Sequence, residues 1–308
     1  MVQQLPLSTF SHIRLCLSFV MDYTLQTLEA LGDDPLDLVI WMINENFLDF
    51  IQDCRHCHTA VHLERFNENA DGVVWRCTRR GCRWYRSVRE NSFFAKSHLS
   101  LRIQMRLIIA FAADGTGKST ALQLGLARKT VVNFFIACRR NYQAAILADP
   151  IVFTAGGEYE SDECVIADVD VGNNIRADIW VQSVVERTTG QVYLTRVPDR
   201  SARSLVPTLT ALVPPGSFIF TDDWAAYNTL RRHGYTHRAV NHSQGEYQRE
   251  ERIRGERHSV HNNTCEGINS LLRRRLAYRS RRALHYLDLI LSETIYRMSG
   301  RPLFAPFK

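Results

Sequence analysis

Three carboxylates have the type and setting for phosphate chemistry. Asp162 lies in the strand-like segment Tyr159–Val171, and Asp222 directly follows the run Phe218-Ile219-Phe220-Thr221. Glu266 falls in the first turn of a helix-compatible segment, after His261-Asn262-Asn263-Thr264-Cys265. Two Asp and one Glu offer the hard oxygens that Mg²⁺ (or Mn²⁺) takes alongside substrate phosphates. Two such ions about 3.5–4 Å apart can activate an attacking oxygen and stabilise a leaving one. Spacing alone leaves a plainer account open. Asp is a favoured helix N-cap, and three unrelated capping or surface acids would give the same pattern. The identity of the first acid is also open, because Asp168 and Asp170 share the strand alternation of Asp162 and would point to the same face.

A second constellation is made of thiols. Cys54-x2-Cys57 and Cys77-x4-Cys82 are two close pairs separated by a hairpin-length insert, the spacing of a zinc ribbon. Four thiolates close a tetrahedral shell around one Zn²⁺ and leave no open position for catalysis, so the site would be structural. His56 and His58 are alternative ligands, and four free thiols are the plainer reading. Arg76, Arg79, Arg80, Arg83 and Arg86, interleaved with Trp75, Trp84 and Tyr85, make the second knuckle a candidate phosphate-contacting surface.

The elements that must position these groups follow from periodicity and turn residues. Residues 1–52 read as a helical region, with Leu38, Val39, Trp41 and Met42 at helical spacing after the first-turn residue Pro35. The ribbon takes 53–90. Over 91–148, Leu99–Phe111, Ser119–Leu124 and a basic helix from Arg128-Lys129 to about Arg140 give a helix-turn-helix pattern, which an ordinary helical hairpin would also give. Tyr142–Phe153, with Asp149-Pro150, reads as a linker. A second domain over 156–300 then shows three hairpin-like strands, a helix at Ser201–Leu212, the strand ending at Asp222, a helix over 224–233, a strand around His237–Val240 and a polar loop. One long helix or a helix pair ends it, from about Thr264 to Met298. The fold class is α/β, a mixed sheet flanked by helices.

Composition narrows the function classes. With 45% hydrophobic and 23% charged residues the chain is ordinary globular material. The net charge of +6 is moderate and points to an anionic partner, most visibly through Arg273, Arg274, Arg275, Arg279, Arg281 and Arg282. Such a cluster also serves as a solvated face. The apolar run Leu15–Met21 is too short to span a bilayer and lacks a cleavage site, so an intracellular, unsecreted protein without membrane association is expected. Gly115-Thr116-Gly117-Lys118-Ser119-Thr120 imitates a phosphate loop, but Ala112 stands where its first Gly belongs and the preceding segment has helical period.

Taken in order, the motifs resemble the DDE transposases of the Merlin group and their bacterial ISXO2-like insertion-sequence relatives. The resemblance spans about Cys54 to Met298. It rests on the cysteine ribbon, the helix-turn-helix, Glu160-x-Asp162-Glu163, Thr221-Asp222-x-Trp224-x-x-Tyr227, Val240-Asn241-His242-Ser243 and His261-x-Asn263-x-x-Glu266-Gly267. It implies a ribonuclease-H-like catalytic domain, Mg²⁺ (or Mn²⁺) dependence, and cutting and joining of DNA at element ends. It assigns Asp162, Asp222 and Glu266 as the catalytic and metal-binding acids, and places His242 near the site with no stated role. The DNA contacts expected are terminal inverted repeats and target DNA, through Arg79, Arg80, Arg128, Lys129, Arg273, Arg274 and Arg275, by a homo-oligomer. The location would be the nucleus in a eukaryote and the cytoplasm otherwise. Two positions depart from the family pattern: Asn269 replaces a Trp, and Cys265 an aliphatic residue, both of which would loosen the last helix. A domesticated, catalytically inactive DNA-binding protein is the alternative reading.

Overall fold

The computed structural model describes residues 23–172, 175–277 and 286–308, with backbone alone over 167–172, 175–177 and at 277. The apolar run at 15–21 and the arginines at 279, 281 and 282 lie outside the described residues. The chain divides into two compact units, Met1–Asn141 with Pro302–Lys308, and Tyr142–Arg301.

In the first unit, Thr24 caps helix α1 (Leu25–Ala30) and Asp34 caps α2 (Pro35–Asn44), its carboxylate accepting from Leu36 N–H. Pro35 sits where a missing N–H costs nothing. An antiparallel sheet follows: β1 (Val61–Arg65), β2 (Val73–Cys77) and β3 (Tyr85–Ser87). The buried pair Arg89–Asp71 ties the segment after β3 to the turn before β2, and Arg89 also donates to the carbonyls of Ser97 and Leu99. Helices α3 (Leu101–Ala112), α4 (Gly117–Leu124) and α5 (Arg128–Ala148) complete it.

The phosphate-loop lookalike is a helix junction. Thr116 and Ser119 spend their hydroxyls on a reciprocal cap of α4. A Cβ on Gly115 would sit 2.7 Å from the Ala110 carbonyl oxygen, so glycine is there for a close approach of backbones.

The linker expected at Tyr142–Phe153 is a correction. Helix α5 runs unbroken to Ala148, because Tyr142 is fully buried and stacks on Tyr296 with ring centroids 4.3 Å apart. Asp149-Pro150 ends it, since proline disfavours helical backbone in the residue before it.

The second unit is built on one five-stranded sheet in the order β6-β5-β4-β7-β8. Strands β4 (Glu158–Gly172), β5 (Ile175–Glu186) and β6 (Val192–Val197) form the antiparallel meander. After α6 (Ala202–Leu212), strand β7 (Phe218–Asp222) pairs parallel to β4, with Tyr159 opposite Ile219. The helix expected over 224–233 is a 3₁₀ helix, Ala225–His233, and β8 (Thr236–Val240) then pairs parallel to β7. The expected polar loop contains a hairpin, β9 (Arg249–Ile253) and β10 (Glu256–Val260). Its turn is Arg254-Gly255, with φ of 53° and 91°, the doubly left-handed geometry that suits a two-residue hairpin. Its strands look polar because few of their side chains turn inward. Of the long helix or helix pair expected to end the domain, the described residues form two helices, α7 (Asn263–Ala277) and α8 (Leu287–Met298).

Strand alternation sorts the core into two layers. Val184, Ile219 and Tyr159 pack with Leu205, Leu209, Tyr227 and Leu230 on one face. Val181, Val185 and Leu194 pack with Cys265, Ile268 and Leu272 on the other. This mixed sheet between helical layers is consistent with the ribonuclease-H-like expectation.

Candidate active site

The acids are placed by two adjacent parallel strands. Asp162 projects from β4 and Asp222 from the last residue of β7, the carboxyl end where open α/β sheets present functional groups. Each of Asp162, Glu163 and Asp222 contributes an oxygen to a set lying within 4.8 Å of one another. So much negative charge in a partly buried place is unfavourable. Burial first, then the charges of Glu163 and Asp222, push the Asp162 carboxyl up to about 8. Burial and Glu163 push Asp222 up to about 6, against the opposing pull of Arg200 and His242. Asp222 Oδ1 is buried and accepts no hydrogen bond among the described residues. A cluster of hard oxygens with an unpartnered acceptor fits a divalent cation.

Glu163 was legible only as a motif letter. Its carboxylate is fully buried and spoken for: Oε1 accepts from Arg200 Nε at 2.7 Å and Oε2 from the Tyr227 hydroxyl at 2.5 Å. Arg200 Nη2 also stands 3.5 Å from Asp222 Oδ2. Its guanidinium stacks over Trp224 at 4.2 Å, and the Trp224 indole N–H donates to the Arg200 carbonyl at 2.8 Å. The Trp and Tyr of Thr221-Asp222-x-Trp224-x-x-Tyr227 thus hold a positive charge beside the acids. Arg200 itself carried no sequence signal.

Glu266 enters from α7. Its carboxylate is not among the three within 4.8 Å, although its charge contributes to the rise at Asp162. Nδ1 of His242 lies 3.2 Å from Glu266 Oε1. His242 is aimed by its neighbours: Asn241 donates to Asp223 Oδ2 at 2.9 Å and caps the short 3₁₀ turn His242–Gln244. That gives both His242 and Asp223 a place in the site.

Helix α7 is fastened by Glu160, the first residue of Glu160-x-Asp162-Glu163. Its buried carboxylate accepts from Thr264 N at 2.8 Å, Cys265 N at 3.2 Å and Arg187 Nε at 2.9 Å. Burial pushes this carboxyl up, but hydrogen bonding from His261 and the charges of Arg187 and His261 outweigh it and hold it below its usual value. An anion on helix N-terminal N–H groups is favourable. The two unusual residues are both engaged. Asn269 donates to Asp162 Oδ2 at 2.8 Å and accepts from Ser183 Oγ at 3.3 Å, and Cys265 is fully buried in the α7 core layer. Asp168 and Asp170, the alternative first acids, have side chains outside the described set.

The four thiols converge as well. Cys54, Cys57, Cys77 and Cys82 each place a sulfur within 4.8 Å of the other three, and neither His56 nor His58 joins the set. The Cys54–Cys82 and Cys57–Cys77 sulfurs are 3.9 and 3.4 Å apart, against about 3.8 Å for a tetrahedron with Zn–S near 2.3 Å. The N–H groups of His56 and Arg79 point at the Cys54 and Cys77 sulfurs, at 3.3 and 3.4 Å. Four soft donors in this arrangement fit Zn²⁺.

Of the basic residues singled out by sequence, Arg79, Arg80, Arg128, Lys129, Arg273 and Arg274 are exposed. Arg275 is a correction: its side chain is only 10% exposed, with Nη1 3.6 Å from the buried Glu293 carboxylate. It faces the core layer of α8 rather than solvent, because the helix turns that position inward. Among the described residues no helix is long and apolar enough to cross a membrane.

No curated protein matches the chain. Among solved structures, a chain of the cryoEM structure of the simian T-cell lymphotropic virus intasome in complex with PP2A regulatory subunit B56 gamma is 14% identical, over 61% of this chain and 67% of that one. Its TM-score of 0.29 is below that of a shared fold. Residues 160–299, which hold all the acids of the site, match the family model of the ISXO2-like transposase domain, and this match supports a transposase of that family.

Proposed function

We propose that this chain is a DDE transposase of the Merlin and ISXO2-like kind, cutting and joining DNA at element ends. The observation that carries the reading is the convergence of Asp162 and Asp222, from the parallel neighbours β4 and β7, inside the segment that matches the transposase domain. Asp162, Asp222 and Glu266 would hold Mg²⁺ (or Mn²⁺), which when bound supplies Lewis-acid activation and charge stabilisation for phosphoryl transfer. The chain's own residues prepare the place. Asn269 orients Asp162, His242 holds Glu266, and Glu160 fixes the helix that brings Glu266 in.

The four cysteines would bind a structural Zn²⁺. The ribbon and the α4–α5 helix-turn-helix, with Arg79, Arg80, Arg128 and Lys129, would recognise terminal inverted repeats. Arg273 and Arg274 would contact phosphates near the acids. A homo-oligomer would hold element ends and target DNA together.

The test is Mg²⁺-dependent nicking and strand transfer on DNA carrying the inverted repeats that flank the gene. Wild type should nick and join, and Asp222→Asn should bind the same DNA yet fall at least ~10²–10³-fold in rate. Specific binding with no cleavage by either protein would sink the enzyme reading and leave a domesticated DNA-binding protein.

A further inference from the structure

We propose that Arg200 is the phosphate-binding arm of this site, its guanidinium taking a non-bridging oxygen of the phosphodiester at the element end. This rests on the reading of the site as one for DNA phosphoryl transfer. It names a residue outside the three acids.

The geometry shows a group preorganised for an anion and only partly used. Arg200 lies just before α6, where Asp199 accepts from Ser201 N–H at 2.8 Å and from the Ser204 hydroxyl at 2.7 Å, fixing the turn. Its guanidinium is held on three sides: Nε on Glu163, one face over Trp224 at 4.2 Å, and Trp180 beyond at 5.3 Å. The backbone carbonyl of the same residue is tied to the Trp224 indole. What remains is the Nη edge. Among the described residues Nη1 makes no hydrogen bond, and Nη2 stands 3.5 Å from Asp222 Oδ2, an ion pair too long for a good one. The side chain is 31% exposed, so this edge is reachable.

A planar, always-charged fork with two free donors matches a phosphate, and a stacked guanidinium loses little entropy on binding it. Its purely structural role would be to neutralise Glu163, a buried carboxylate that must be paired. One N–H does that. The stack on an exposed tryptophan and the unspent edge next to Asp222 are unneeded for it. Both make sense if the edge faces the reacting phosphate. During hydrolysis the water oxygen–phosphorus bond forms and the phosphorus–O3′ bond breaks with its electron pair on O3′. The water gives a proton to solvent and O3′ takes one from solvent. Arg200 exchanges no atom or electron. It stabilises charge on the non-bridging oxygen, as basic clamps do in phosphoryl transfer.

The experiment is a double-mutant cycle between Arg200 and the phosphate. Duplexes carry the terminal inverted repeat, with either the natural phosphate or a neutral methylphosphonate (each stereoisomer separately) at the element-end bond. Affinity is measured with Ca²⁺, and nicking separately with Mg²⁺. One stereoisomer should cost the wild type about 10-fold in affinity, and Arg200→Gln should lose most of that sensitivity, since a shared contact is counted once. Arg200→Lys, which keeps a charge for Glu163 but has no fork, should show an intermediate penalty and guards against a folding defect in the glutamine variant.

Equal methylphosphonate penalties in wild type, Arg200→Lys and Arg200→Gln would overturn the assignment, as would absence of end-specific binding by the wild type. Coupling without any nicking would uphold the phosphate arm while removing the proposed activity. Nicking without coupling would do the reverse.

Discussion

At the scale of single residues, the site is a set of buried polar groups whose partners decide their state. His237 shows the sign most clearly. It lies in β8 opposite Ile219, 5% exposed, with Nε2 2.9 Å from Thr221 Oγ1. Thr221 Oγ1 also donates to the Asp222 carbonyl at 2.7 Å, an arrangement that favours the imidazole as donor through Nε2. Burial, and then the charges of Arg231 and Arg238, hold this histidine down to about 4. The fold therefore binds a proton here less readily than the unfolded chain does. Its stability is full above the unfolded value near 6.5 and is lost as pH falls from there toward 4, by roughly 3 kcal/mol. Urea unfolding at a series of pH values should show this slope, and His237→Asn should flatten it. An unchanged slope in the variant would show that the titration lies elsewhere.

At the scale of elements, the decisive joint is between β4 and α7. Glu160 on the strand accepts from two N–H groups at the helix start and from Arg187, whose Nη1 and Nη2 go on to the Ser259 and His261 carbonyls. One carboxylate thereby fixes helix, hairpin and strand together. Glu160→Ala leaves the helix end uncapped and Arg187 with Glu158, 3.0 Å away, as its remaining carboxylate partner, and loss of such a buried, charge-assisted set of hydrogen bonds costs about 2–4 kcal/mol. Chemical denaturation of wild type and variant would read it; a cost below ~1 kcal/mol would show that the joint is held otherwise. The sequence displayed Glu160 only as a letter in a motif. Its partners lie 27, 104 and 105 positions away, and no local periodicity points to them.

At the scale of the whole chain, two units have different means of stability. The Tyr142–Arg301 unit has a sheet covered by apolar layers on both faces, whereas the three-stranded sheet of the other is short and carries four converging thiols. Small modules of that kind draw folding energy from metal. The purified protein should hold one equivalent of zinc by elemental analysis. Cys77→Ser, or chelation, should abolish the end-specific DNA binding proposed above while the Tyr142–Arg301 unit keeps its unfolding transition. End binding undiminished in zinc-free protein would refute the structural metal.

What the sequence determined by itself was whatever is local or strictly periodic. The strand ending in Asp222, the alternation of β4, the Gly-Thr-Gly turn of the α3–α4 junction, and the cysteine spacing all depend on neighbours a few residues apart. Tertiary structure alone decided which of these meet. It joined Glu163 to Arg200 and Tyr227, turned Asn269 from an apparent defect into a donor for Asp162, and turned Arg275 inward. It extended α5 through the expected linker, because burial of Tyr142 against Tyr296 outweighs any local breaker before Pro150. Partners distant in sequence are chosen by chain topology and burial, and a lone charged residue such as Arg200 carries no mark of which carboxylate it will find.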